Sequence, residues 1–253
     1  MAELRQNRAK RKLANGETVI AVACSDTDTV DLLGATGVVD VIWIEMEHGG
    51  STWSDLSDIS RACDLWGMTS LVRVHNNDPW LVGRALDRGV QAVVVPHVNN
   101  KEEAERFVRG GKFAPVGMRG MGGSRQGLGV DDYARKANDE IMLVALIEDV
   151  VAIDDLDRIL TVDGIDCFMV VPGDLSQSMG PDYLGRPDHP DVQKVIADTM
   201  EVIVESGYST GSTANDNNIA KWTNAGGRFF LCNYMGYVQN GLKELKAKST
   251  STD

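Results

Sequence analysis

From residue 18 onward the chain repeats one rhythm eight times: a short apolar run, then a longer amphipathic segment. The runs are TVIAVAC (18–24), VDVIWIEME (39–47), SLVRV (70–74), AVVVPHV (92–98), IMLVALIE (141–148), DCFMVV (166–171), YSTGST (208–213) and RFFLCNY (228–234). Most are apolar without alternation, as expected of strands buried on both faces of a parallel sheet. The segments between them read as helices, for example 53–67, 78–89, 100–111 and 189–207. Several of these end in glycine, and others begin at Asp, Asn or Ser, the residues that close and open helical turns. Eight such units predict closure into a (β/α)8 TIM barrel, for which about 250 residues is the usual length. A doubly wound open sheet is the alternative, disfavoured because no GxGxxG follows the first run and the rhythm never changes.

No linker-like stretch divides the chain, so residues 1–253 read as one domain, with LKAKSTSTD (245–253) as a frayed tail. One connection breaks the pattern: residues 113–139, FAPVGMRGMGGSRQGLGVDDYARKAND, are too long and glycine-rich for an ordinary loop and suggest a functional or interface role. A net charge of −12 argues against binding a nucleic-acid backbone. The apolar runs are too short to span a bilayer, and the polar N-terminus lacks the apolar centre of a signal peptide. Cys24, Cys63, Cys167 and Cys232 have no metal-binding spacing and read as buried free thiols, which fits a soluble, cytoplasmic protein.

In such a barrel the chemistry sits at the C-terminal ends of the strands. That rule selects Glu45, Glu47 and His48 in IEMEHGG (44–50), Arg73, His97, Glu148 with Asp149, and Asp174. Taken alone, IEMEHGG suits metal ligation, proton transfer or a merely polar strand end. Glu148 and Asp174 end neighbouring strands, so their carboxylates can converge on a hard cation such as Mg2+, Mn2+ or Co2+. None of the ten lysines falls in a strand candidate, so no Schiff-base lysine presents itself and a metal is the expected electron sink.

The segments VIWIEMEHGG, LVRVHNNDPWLVGRALDRGVQAVVVPHV, KFAPVGMRGMGG, DYARKANDEIMLVALIED and VVPGDLSQSMG resemble the metal-dependent class II 2-keto-acid aldolases. These form the 4-hydroxy-2-oxo-heptanedioate aldolase family, in the superfamily of the citrate lyase β-subunit and malyl-CoA lyase. The resemblance runs from about residue 16 to 200 and weakens beyond. It implies a barrel of the phosphoenolpyruvate/pyruvate-binding type that cleaves a 4-hydroxy-2-keto acid to pyruvate and an aldehyde. Glu148 and Asp174 would hold the metal, which would bind pyruvate and stabilise an enolate. Arg73 would sit by the keto oxygen, and His48 would be the base. Asp87 would raise the basicity of His48, often across a subunit contact, and Gly173 would offer its N–H to the substrate carboxylate. It also implies a homo-oligomer, a hexamer with exchanged C-terminal helices.

Departures from the family pattern bear on substrate choice. Leu146 stands where a substrate-binding Gln is usual, Glu45 replaces an Asp, and Val171 replaces a glycine. LCNYMGY (231–237) replaces the family's usual run near the C-terminus. The competing functions are a metal-dependent decarboxylase, an acyl-CoA lyase, or a non-catalytic scaffold. Arg119 and Arg125 could bind a distal carboxylate, with a subunit contact as the favoured plainer reading. His97 is open between pocket lining and polar rim; His75 reads as loop, and His189, before Pro190, as a helix cap.

Overall fold

The computed structural model describes residues 2–250. The chain enters through α1 (Arg8–Ala14) and then alternates as β1 (Val19–Ala23), α2 (Thr27–Gly34), β2 (Val41–Glu45) and α3 (Asp55–Trp66). Next come β3 (Thr69–Arg73), α4 (Pro79–Asp87), β4 (Ala92–Val95) and α5 (Lys101–Gly111). The glycine-rich connection holds a single 3-10 turn and then α6 (Tyr133–Glu140), before β5 (Met142–Ile147), α7 (Val150–Asp154) and α8 (Leu156–Ile159). The last part runs β6 (Cys167–Val170), α9 (Pro172–Ser178), α10 (Pro190–Glu205), β7 (Ser209–Ala214), α11 (Ile219–Asn224), β8 (Phe229–Cys232) and α12 (Tyr234–Thr250). The eight strands are all parallel and close in sequence order, β8 pairing back to β1. Each expected apolar run is therefore a strand, and the barrel is the expected one.

Period-two alternation sorts the strand residues into two cores. Val41, Trp43, Leu71, Val94, Val144, Leu146 and Met169 fill the barrel interior. Ile42, Ile44, Val72, Val93, Ala145 and Phe168 face the helices outside. Ala9 and Leu13 of α1 join the interior cluster. Asn7 ties that helix to the barrel, its Nδ2 donating to the carbonyls of Gln91 and Glu140 and its Oδ1 accepting from Thr69. Because Gln91 and Thr69 lie where strands begin, α1 plugs the N-terminal mouth, leaving only the opposite rim open.

The most polar run, YSTGST, forms β7 because Gly211 permits an unusually close strand approach. A Cβ there would lie 1.7 Å from the Phe229 carbonyl oxygen. Gly211→Ala is expected to destabilise the protein by roughly 3 kcal/mol or more, since the obstructing atom is backbone inside a closed ladder. Chemical denaturation measures this; a loss below about 1 kcal/mol would mean the strands can part locally.

The frayed tail expected over 245–253 is corrected in part: helix α12 continues to Thr250, and residues 251–253 lie outside those described. Leu, Lys, Glu and Ala favour helix there, and Lys248 pairs with Glu244 one turn earlier at 2.6 Å. No residue of α12 is buried, and Met235, Tyr237, Val238, Leu242 and Leu245 are exposed.

Candidate active site

The interior columns continue upward into the rim. Glu45 follows Trp43 by two positions, Arg73 follows Leu71, Glu148 follows Leu146, and Val171 follows Met169. Alternation thus turns these four side chains toward the barrel axis, and β2 and β3 pair in the register that sets Glu45 directly beside Arg73.

Within IEMEHGG the two glutamates serve Arg73. Glu45 Oε2 accepts from Arg73 Nε at 2.7 Å and from Trp43 Nε1 at 3.0 Å. Its other oxygen accepts the backbone N–H groups of Glu47 and His48 at 2.8 and 3.1 Å, folding the chain back after the strand. The extra methylene relative to Asp gives Glu45 this reach. Burial opposes its ionisation, yet the hydrogen bonds from Trp43 and Arg73 prevail and hold its carboxyl below the usual range. Glu47 Oε2 lies 3.0 Å from Arg73 Nη1. Gly49 is required by the fold-back, because a Cβ would meet the Glu45 carbonyl oxygen at 2.5 Å. His48 is thereby pinned at its backbone while its side chain stays 71% exposed, with Nε2 3.9 Å from Glu47 Oε2.

Glu148 is the most buried acid of the rim, 1% exposed. One oxygen accepts the His97 N–H at 2.8 Å; the other, Oε2, has no partner. Burial, reinforced by the charge of Asp174, pushes the Glu148 carboxyl up to about 7 against the pull of His97. Asp174 sits in the first turn of α9, directly after β6, which pairs with β5. His97 takes a left-handed backbone, φ 52°, which costs a non-glycine residue on the order of 1 kcal/mol. That turn carries its N–H back to Glu148 and sets Nδ1 2.8 Å from Asp149 Oδ2. Asp149 occupies the N-cap of α7 without capping it, its side chain being spent on His97. Burial lowers the pKa of His97, but Asp149 and Glu148 outweigh it and the net shift is upward. The His97–Asp149 pair was not legible beforehand; an N-cap Asp beside a strand-end Glu is the only trace it leaves in the sequence.

Gly173 lies exposed in the first turn of α9, with open space where a Cβ would be. Leu146 is buried directly beneath Glu148 and brings only methyl groups to that level of the barrel. Asp87 is not brought to His48 within one chain. It ends α4, whose chain leads to the start of β4, so it occupies the opposite rim and pairs there with Arg119 Nη2 at 2.7 Å. Arg119 and Arg125 are likewise engaged at that rim, Arg125 with Asp64 at 2.7 Å, and neither faces the carboxylates. His189 caps α10 through Nδ1, and His75 lies in the exposed loop after β3. All four cysteines are buried and free. Among the described residues no helix is long and apolar enough to cross a membrane.

Two hollows flank the carboxylates on the open rim. The larger, about 770 Å³, lies over β7, β8 and the start of α12, and Asp216 is its only carboxylate. The smaller, about 440 Å³, lies between the loops after β3 and β4 and includes His97. The interacting titratable groups His97, Asp149 and Asp174 gather around Glu148, whatever the relative size of the hollows.

The donor set fits a hard divalent cation. Glu148 Oε2 is a buried carboxylate oxygen with no partner, its ionisation is disfavoured without a counter-charge, and a second carboxylate, Asp174, is near enough to raise its pKa. Among the described residues no group of three or more His, Cys, Asp or Glu side chains forms a closed cage. Two carboxylates with open positions is the pattern of a site completed by water and a chelating substrate.

The geometry agrees with what the chain is similar to. The HpcH/HpaI aldolase/citrate lyase family matches residues 17–230. A hydroxypyruvate/pyruvate aldolase of Roseobacter denitrificans is 34% identical over 230 residues, covering 88% of this chain and 89% of that protein. A 2-keto-3-deoxy-L-rhamnonate aldolase of Klebsiella pneumoniae is 35% identical over 238 residues, covering 91% of this chain and 88% of the relative. Among solved structures, an HpcH/HpaI aldolase/citrate lyase family protein of Burkholderia cenocepacia superposes with a TM-score of 0.88 at 28% identity, covering 97% of this chain and 100% of that one. With residues 17–230 matched, this chain belongs to the HpcH/HpaI aldolase/citrate lyase family.

Proposed function

We propose that this chain is a divalent-metal-dependent pyruvate aldolase, cleaving a 4-hydroxy-2-keto acid to pyruvate or a close analogue and an aldehyde. The unpartnered, buried Glu148 carboxylate facing Asp174 is the observation that carries this reading. Glu148 and Asp174 are the residues to hold Mg2+, Mn2+ or Co2+. When bound, the cation supplies a Lewis acid for the negative charge that develops on the 2-keto oxygen. Arg73, oriented by Glu45 and Glu47, adds a fixed guanidinium on the same rim to balance that charge. The Gly173 N–H donates to the substrate carboxylate, a role for which the exposed backbone in the first turn of α9 leaves room. His48 takes the proton of the 4-hydroxyl as the carbon–carbon bond breaks. Leu146 supplies an apolar floor in place of a hydrogen bond, which favours donors with little polarity at that position.

Aldol addition tests the assignment. Pyruvate and a small aldehyde, incubated with protein and each divalent cation, are expected to give a 4-hydroxy-2-keto acid, with EDTA abolishing its formation. Absence of product across a broad aldehyde panel with every cation would contradict it.

His48 and Asp87 stand on opposite rims, so their pairing requires a second copy of the chain. The exposed apolar side chains of α12, with Met118 and Met121 of the glycine-rich connection, support a homo-oligomer, a hexamer by resemblance. Inactive His48→Ala and Asp87→Ala proteins, mixed and reassembled, are expected to recover activity, because some mixed contacts bring an intact His48 to an intact Asp87. No recovery in verified mixed oligomers would remove Asp87 from the mechanism.

A further inference from the structure

The glycine-rich connection, residues 113–139, takes no part in the steps above, yet it closes over the C-terminal end of α4 at Asp87. Its backbone is tied down on both sides. The Met118 N–H donates to the Arg109 carbonyl and the Arg119 N–H to the Lys112 carbonyl, both at 2.8 Å. Farther along, Ser124 Oγ donates to the Leu86 carbonyl at 2.9 Å. Between these anchors Arg119 turns inward, its side chain wholly buried. Its guanidinium lies over the Phe113 ring, 4.7 Å from the centroid, and Nη2 reaches Asp87 Oδ1 at 2.7 Å. Gly122 lies against the other oxygen: a Cβ there would stand 2.7 Å from Asp87 Oδ2.

Stability does not account for this arrangement. An aspartate as the last residue of a helix faces the negative end of the helix dipole. Arg119 is buried with Nε unpartnered, and apolar residues of similar volume commonly match or better a buried ion pair. What the pair does achieve is direction. Arg119 fixes one carboxylate oxygen from inside and leaves the Asp87 side chain 34% exposed, with no hydrogen bond to Oδ2 among the described residues. His48 is its complement on the other rim, an exposed imidazole on a backbone pinned by Glu45.

We propose that Arg119 and Gly122 are positioning residues for the aldol step. Arg119 clamps Asp87 Oδ1, Gly122 leaves the room that the carboxylate needs, and Oδ2 of one copy thereby meets the His48 ring of the next and orients it as the base. The proposal rests on the aldolase reading and its contact between His48 and Asp87, and it adds a role for the glycine-rich connection.

Gly122→Ala is the sharpest probe. Gly122 is exposed and lies outside the left-handed region, so alanine suits its backbone, and the methyl displaces only the end of a side chain. Turnover of pyruvate with acetaldehyde, or with whichever aldehyde of the panel the wild type accepts, is followed in the Mg2+-loaded oligomer. The kcat is expected to fall by roughly ten- to a hundredfold, as for a misplacement of about 1 Å, with the KM for pyruvate and the affinity for Mn2+ unchanged. In an Asp87→Asn background the same substitution is expected to cost nothing further, because it acts only through the carboxylate. Arg119→Met, which keeps bulk on the Phe113 ring and drops the charge, should show the same non-additivity, and Arg119→Lys should recover part of the loss. Losses that multiply with Asp87→Asn, losses caused by dissociation of the oligomer, or a wild-type kcat in Gly122→Ala would overturn the proposal. A wild-type kcat in Asp87→Asn itself would remove Asp87 from the mechanism, and this proposal with it. A wild type that consumes no aldehyde at all would instead overturn the aldolase reading on which both rest.

Discussion

Glu148→Gln is expected to weaken divalent-cation binding by at least about a hundredfold and, in the metal-free protein, to increase stability. Both effects follow from one feature, a carboxylate buried beside Asp174 with one oxygen unpartnered. The glutamine keeps an oxygen for the His97 N–H and removes the charge that only a cation would neutralise. The sign of the pH dependence is fixed by the upward shift. A carboxyl whose folded pKa is about 7, against 4.5 ordinarily, binds its proton more tightly folded than unfolded. The penalty for folding around it is absent below about pH 4.5, grows between there and pH 7, and is constant above. Metal-free wild type therefore loses roughly 1–3 kcal/mol from this group on going from acid to pH 8, and Glu148→Gln does not. Denaturation in EDTA at pH 8 and pH 5, with calorimetric titration of Mn2+, measures both quantities. Unchanged Mn2+ affinity would take Glu148 out of the metal site; a less stable metal-free variant would mean that the carboxylate is satisfied by a contact outside this chain.

Arg73→Ala is expected to lower kcat by about a hundredfold or more and to cost roughly 3 kcal/mol of stability. The catalytic loss comes from removing a positive charge held over the forming negative one. The stability loss comes from the carboxylates left behind: Glu45 and Glu47 sit at 2.7 and 3.0 Å from the guanidinium, and both are largely shielded from water. Arg73→Lys recovers little, because a single ammonium cannot meet Glu45 through Nε and Glu47 through Nη1 while still facing substrate. Removing the charges together, as Arg73→Ala with Glu45→Gln and Glu47→Gln, is expected to restore most of the stability and none of the activity. Steady-state kinetics at saturating pyruvate and chemical denaturation separate the two losses. An Arg73→Ala protein with normal turnover would leave the developing charge to be balanced by other groups.

The barrel was legible because burial on both faces leaves strands as continuous apolar runs, a signal that survives even where β6 is only Cys167–Val170. β7 was the weakest run, and its identity depended on Gly211 and a backbone contact that no residue preference encodes. The rim rule brought out Arg73, Glu148, Asp174 and the acids of IEMEHGG, since strand ends fix where a side chain starts. It did not show where the side chain finishes. Glu45 reaches back to two backbone N–H groups and across to Arg73, a consequence of its length and of rotation at the strand end. The stretch that first resembled a metal cluster is a carboxylate clamp on Arg73 with His48 carried at its edge. His97 was ambiguous for a related reason: a left-handed backbone is written in sequence only when glycine or asparagine occupies it. Asp87, set beside His48 only by resemblance, ends α4 at the opposite rim and pairs with Arg119 there, a placement that follows from the helix's direction and not from any residue preference.

The central claim, that Glu148 and Asp174 hold a cation which activates pyruvate, is tested most directly by proton exchange in heavy water. With pyruvate alone and added Mg2+ or Mn2+, the wild type is expected to exchange the methyl protons for deuterium, seen as loss of the methyl signal by NMR. Exchange should stop with EDTA and in Glu148→Gln, without any aldehyde being present. Exchange that persists in EDTA, or that fails with every divalent cation for both pyruvate and hydroxypyruvate, would contradict the account.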